Sequence, residues 1–335
     1  MIRKITLVLL VSFFFAAQAQ QDGYQTHFQF NEMSYNPSYA GKVDKKICIS
    51  ALWHQQYVGF KSDAINDIGN KAVISPYNIA PTTQFLNLST RLYGKLGIGV
   101  NIINDKIGPQ TFTLPKLSAA YYLKLNASDL SFGVSFGQMQ KTLDGTKLQA
   151  LSQLMGNGPD PRVPTALVKD RQNDLGFGFH YLNPAFNNLD IGVSATHLLP
   201  GTFKNNGVAF SSLQTHIYAN AGAEFPIGSG DLVLQPYLLF KYGKKMQVDV
   251  NAIVVYNSQL YGGLSYRQGD NTNLMLGYMA GDFKVGYAFD FILNGLKPGS
   301  RTTHELFVQY CYGIKIKDKP NRYILNPCHL MNQNY

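Results

Sequence analysis

Apolar and polar side chains alternate along this chain with a period of two. In LSFGVSF, Leu130, Phe132, Val134 and Phe136 share one face, and Ser131, Gly133 and Ser135 share the other. LQTHIYANAGAEF sets Leu213, Ile217, Ala219 and Phe225 against Gln214, His216, Asn220 and Glu224. FKVGYAFDF sets Phe283, Val285, Tyr287, Phe289 and Phe291 against Lys284, Gly286, Ala288 and Asp290. ELFVQYCY sets Leu306, Val308, Tyr310 and Tyr312 against Glu305, Gln309 and Cys311. Successive side chains of a strand point to opposite faces, so the pattern predicts half-buried strands. It places them near 46–54, 85–93, 96–104, 112–125, 128–139, 172–183, 187–198, 212–225, 231–242, 246–257, 259–267, 272–280, 282–291 and 303–313. The count is about 14, within a range of about 12–16, and an even number suits a closed single-chain barrel.

The connections alternate in length. Gly94-Lys95, Asn126-Ala127, the NPAFN from Asn183 and the PIGSG from Pro226 are short. Between them come long ones: His54 to Gln84, Gln140 to Arg171 and Leu199 to Ser211. Outer-membrane barrels have short periplasmic turns and longer extracellular loops. The second half follows this less closely, because the GKK at 243 is short. With a periplasmic start, the long loops lie outside the cell and both termini lie in the periplasm. In the loop from Asp144 to Asp170, Leu148, Leu151, Leu154 and Met155 have helical spacing. They read either as a short helix contacting a partner or as a loop with a small apolar anchor.

Composition separates a membrane barrel from a soluble sheet protein. Charged residues are 15%, against about 25% in soluble domains. Tyr and Phe number 21 each and Gly 31, with a single Trp. Small residues at many inward positions fit the same class. Arg3 and Lys4 precede an apolar run from Ile5 to Ala16, broken only by Thr6 and Ser12, and Ala17-Gln18-Ala19 follows. That is the form of a signal peptide, 1–19, cleaved between Ala19 and Gln20. The run is too short to span a bilayer as a helix, and no cysteine marks a lipid anchor. The resulting division is a 20–45 periplasmic segment, a 46–313 barrel and a 314–335 periplasmic tail. The net charge of +9 comes from scattered lysines and short clusters, which read as solvated turns and not as a nucleic-acid surface.

Candidate chemistry is sparse. His304 and Glu305 are adjacent, so on a strand they face opposite ways and form no dyad. Asp290 and Glu305 are candidate lumen residues, as polar side chains line barrel interiors. There is no nucleophile elbow, no zinc-protease motif and no phosphate loop, and no cysteine or histidine spacing suggests zinc. The expectation is a protein without catalytic residues, cofactor or metal. Cys48 and Cys311 fall in the first and last strands, on the less apolar parity of each. Those strands pair when a barrel closes, which makes the two a candidate disulfide inside the lumen, with Cys328 left over. The segment MSYNPSYAG, Met33 to Gly41, is turn-rich yet aromatic for a leader. Tyr35, Asn36, Pro37, Tyr39 and Gly41 are therefore a candidate plug of the periplasmic mouth, or a partner contact.

The ordered set of motifs resembles the PorP/SprF family of type IX secretion outer-membrane proteins. It comprises QDGYQTHFQFNEMSYNPSYAG (21–41), HQQYVGF (54–60), PTTQFLNLS (81–89), GIGVNIINDKIGP (97–109), YGGLSYRQGD (261–270), LMLGY (274–278), KVGYAFD (284–290) and THELFVQYCY (303–312). The chain departs from the family pattern at Gly23, where Pro is usual, at Tyr57, where Trp is common, and at Thr302-Thr303, where Gly-Ser usually precedes the His-Glu pair. The resemblance implies a non-enzymatic component of the secretion and gliding machinery of Bacteroidetes-type bacteria. It implies outer-membrane lipid around the barrel and cargo such as adhesins, recognised by their C-terminal domains. It also implies a peptidoglycan-binding periplasmic partner. The alternative of the same fold is a channel or hydrophobic-substrate transporter.

Overall fold

A computed structural model describes residues 22–58, 80–148, 158, 163–269, 271–292 and 302–314. The first half of the sheet holds β1 (Lys46–Val58), β2 (Thr82–Leu92), β3 (Leu96–Ile107), β4 (Gln110–Leu125), β5 (Ser128–Asp144), β6 (Leu167–Asn183) and β7 (Leu189–Thr196). Then come a hairpin, β8 (Gly201–Asn205) and β9 (Val208–Leu213), and the strands β10 (His216–Gly222) and β11 (Phe225–Ile227). The chain finishes with β12 (Leu232–Tyr242), β13 (Met246–Tyr256), β14 (Leu260–Arg267), β15 (Asn271–Ala280), β16 (Phe283–Ile292) and β17 (Thr302–Gly313).

Each strand pairs antiparallel with its neighbour, apart from the separate β8–β9 hairpin and the three-residue β11, which pairs only with β12. β10 pairs with both β7 and β12, and β1 pairs with β17, so the sheet closes into a barrel of 14 strands. Fourteen strands about 4.8 Å apart and tilted about 40° close into a cylinder of radius about 14 Å. β5 and β6 are 17 residues long, beyond the roughly 10 that cross a bilayer, so the wall stands above the lipid on that side.

Alternation along the strands now has a direction. Leu117, Val134, Phe136, Leu264, Leu276, Phe291 and Leu306 are exposed on the outer wall. Ser131, Ser135, Asn101, Asn251, Asn273, Asp290 and Glu305 are buried on the inner one. This is inside-out relative to a soluble protein, and it is what a lipid solvent demands. Exposed tyrosines stand toward both ends of the barrel, Tyr93, Tyr121, Tyr256, Tyr278, Tyr310 and Tyr312 at the short-turn end and Tyr242 and Tyr266 at the other. Their amphipathic rings suit the headgroup level. Chain entry and exit meet at the short-turn end, where the Ile314 amide donates to the Lys45 carbonyl at 2.9 Å.

One sequence expectation changes. The single strand 212–225 is three pieces: the end of β9, then β10, then β11. Leu213 accordingly faces inward and is buried, because it belongs to a hairpin that folds over the barrel. The candidate plug Tyr35–Gly41 is buried in the lumen with Gly41 at the short-turn end, and the preceding residues carry the filling on to the long-loop end, as described next.

Candidate functional site: the occupied lumen

Residues 22–45 pass through the barrel as three short 3-10 turns, Phe28–Phe30, Glu32–Ser34 and Pro37–Tyr39. From Gln25 to Gly41 every residue except Phe30 is buried. Asp22 lies at the long-loop end, beside His197 and His216. Gly41 lies at the short-turn end, where Arg91 Nε donates to its carbonyl at 2.8 Å. The turn residues explain the local path. Asn36 caps the third turn, accepting from the Ser38 amide at 3.0 Å, and Pro37 sits at the first helical position, where its missing N–H costs nothing.

A segment without long helix or strand leaves many backbone groups in need of partners. The inner wall supplies them. Lys116 Nζ donates to Ser34 O (2.7 Å), Ser194 Oγ to Tyr35 O (2.7 Å) and Ser131 Oγ to Ser38 O (2.9 Å). Tyr122 donates to Ala40 O (3.0 Å), Asn251 Nδ2 to Thr26 O (2.8 Å) and Arg267 Nη2 to Gln25 O (3.2 Å). Asn36 Nδ2 returns a bond to Phe179 O on β6 at 3.0 Å. The polar inner face is thus matched to a peptide. Small residues provide the space: a Cβ on Gly133 would lie 2.2 Å from the Ser38 nitrogen, and one on Gly97 would lie 1.9 Å from the Ala40 oxygen.

Glu305 is the most concentrated contact. It is 0% exposed and accepts from the Thr26 amide (2.6 Å), the His27 amide (2.7 Å) and His27 Nδ1 (2.7 Å). His54 Nδ1, directly opposite on β1, lies 2.9 Å from its other oxygen. His304 points outward to Tyr287, so the two neighbours do face opposite ways. Asp290 is buried on the inner face and accepts from Asn271 Nδ2 at 2.7 Å. Near the short-turn end, Tyr39 donates to Asp190, and Lys42 Nζ bridges Asp190 (2.8 Å) and Glu32 (2.6 Å).

The hairpin β8–β9 covers the long-loop end. It buries Phe203 and Leu213 against the inward Leu52, Phe85, Ile103, Phe112, Leu114 and Met139. Lys141 Nζ donates to Ser211 Oγ at 2.7 Å and Gln172 Nε2 to Thr202 O at 3.0 Å. Sequence reading passed over this hairpin because β8 and β9, at 5 and 6 residues, are too short to show a sustained alternation. At the other end a cavity of about 390 Å³ opens between Glu32, Lys42, Asp190, Glu224 and Lys284.

Cys48 and Cys311 face each other in the β1–β17 register and are joined by a disulfide, with Cα atoms 4.0 Å apart. Cys48→Ser is expected to lower stability by about 2–5 kcal/mol, measured by thermal unfolding in detergent under non-reducing conditions. An unchanged melting temperature would show the bond to be energetically idle. Leu148 ends the 3-10 turn Gly145–Lys147 and is half-buried. Leu151, Leu154, Met155, Ala19, Gln20 and Cys328 lie outside the described residues.

A closed antiparallel barrel with an apolar outer wall and a polar, peptide-filled interior defines an integral outer-membrane β-barrel protein. The chain belongs to the PorP/SprF family: the model for the type IX secretion system membrane protein PorP/SprF matches residues 17–310. Among solved structures, a FadL homologue from Pseudomonas aeruginosa is 11% identical, with a TM-score of 0.50, over 87% of this chain and 94% of that one. The toluene transporter TbuX of Ralstonia pickettii is 13% identical, with a TM-score of 0.47, over 84% and 93%. The outer membrane protein Omp33 of Acinetobacter baumannii is 8% identical, with a TM-score of 0.43, over 81% and 100%. No curated protein matches the chain.

Proposed function

We propose that this protein is a non-enzymatic anchor of the type IX secretion machinery, supporting the secretion or surface attachment of cargo proteins such as adhesins. The observation that carries the reading is the occupied lumen. A barrel whose bore holds its own N-terminal segment, under a hairpin lid, is built to present surfaces at its two ends and not to conduct a polypeptide. In this reading the long-loop end faces outward and receives the C-terminal domain of the cargo. The short-turn end, with both chain ends of the barrel, faces the periplasm and a peptidoglycan-binding partner.

Family membership supports the secretion role at the level of the system. The test is deletion of the gene, followed by comparison of the surface and culture-medium proteomes. At least one protein with a type IX C-terminal signal is expected to leave the surface fraction. Unchanged display of every such protein would overturn the reading.

A further inference from the structure

Asp22, His197 and His216 converge at the long-loop end of the lumen. They come from the plug, from the connection after β7 and from the start of β10. One ligand atom from each lies within 4.8 Å of the others. His197 Nε2 is 3.0 Å from Asp22 Oδ1, and His216 Nδ1 is 2.7 Å from Asp22 Oδ2. The surroundings are ordered as well. His197 turns its other ring nitrogen to Asp174, 2.7 Å away, and Tyr218 donates to Asp22. Lys241 Nζ lies 3.3 Å from the Asp22 carbonyl. Both histidines are buried, while Asp22 keeps 21% of its side chain open to solvent, which leaves a route for an ion.

We propose that these three residues form a zinc site that fastens the outer end of the plug to the barrel wall. Two imidazoles and one carboxylate are a zinc donor set, and three protein ligands leave a position for water. A cavity of about 40 Å³, lined by Asp22, His197, Tyr218 and Lys241, adjoins the cluster and has room for that water. The Asp174–His197 pair matches the carboxylate that commonly orients a zinc-binding histidine by accepting from its second ring nitrogen. Zinc takes its ligands in their deprotonated forms, so affinity for the site depends on pH. The ligand positions are 22, 197 and 216, too far apart for any spacing motif to reveal them. The inference is independent of the secretion role.

The test is titration of the full-length, tag-free protein in detergent with Zn²⁺ by calorimetry, and with Co²⁺ by visible absorption. One saturable site is expected, with the absorption of a low-coordinate Co²⁺ centre that Zn²⁺ bleaches. His197→Ala and His216→Ala are expected to abolish it. Asp174→Asn keeps all three ligands and is expected to weaken binding about 10–100-fold. The combined Cys328→Ser and His329→Ala variant, which removes soft ligands of the tail, is expected to bind as wild type. Heat-modifiable gel mobility verifies that each variant is a folded barrel. Absence of a saturable site in the wild type would overturn the proposal, as would full binding by folded His197→Ala and His216→Ala or loss with the tail variant.

Discussion

Removing residues 22–41 together with the hairpin 201–213 should turn a silent protein into a steadily conducting pore in planar bilayers. The wild-type lumen is filled along its height from Gln25 to Gly41, and Phe203 and Leu213 cap the long-loop end. A bare barrel of radius about 14 Å, lined by serine, asparagine and charged side chains, has no such obstruction. The wall itself does not depend on the plug for its ladder, since every barrel strand pairs with two other strands. The inward polar groups that lose the peptide would be hydrated. Removing only one of the two elements should leave current low. A folded double deletion that stays silent would show that another part of the chain closes the bore, and would remove the geometric basis for calling this barrel an anchor.

The second large effect is expected at Glu305. Truncation to Ala strips the acceptor from two plug amides and His27, and leaves His54 facing no carboxylate. Each buried donor left without its acceptor costs about 1–3 kcal/mol. Glu305→Gln keeps one carbonyl acceptor and should fall between wild type and Ala. The informative measurement is hydrogen exchange at Thr26 and His27 beside urea unfolding in detergent. Loss of protection in the plug with an intact barrel would show that Glu305 fastens the plug specifically. Unchanged exchange and an unchanged midpoint would show that the carboxylate is dispensable to both.

The barrel was legible because lipid reads only one face of each strand. Thirteen of the predicted segments correspond one-to-one to strands, and 212–225 was misjoined because Gln214-Thr215 interrupts the ladder without an obvious breaker. Predicted ends fell short at the long-loop side: 128–139 is β5 to Asp144, and 172–183 is β6 from Leu167. Above the lipid there is no apolar demand, so alternation fades while pairing continues. The plug was legible only as an oddity of composition. Its path is set by contacts such as Thr26 with Glu305 and Asn36 with Phe179, separated by 279 and 143 residues. Nothing periodic in either segment announces such pairs. The same holds for Asp22 with His197 and His216.

The disulfide between the first and last strands gives the threaded plug a topological meaning. The bond closes a covalent ring whose ends are 263 residues apart in sequence. Residues 22–45 pass through that ring while remaining continuous with it at Lys46. The oxidised chain is a pierced lasso. The bond lies near the start of β1, beside the root of the tail, so β1 and β17 stay tied at the short-turn end even where the ladder above parts. Opening the seam from the long-loop end therefore leaves the wall a single tethered sheet, hinged beside the root of its own plug.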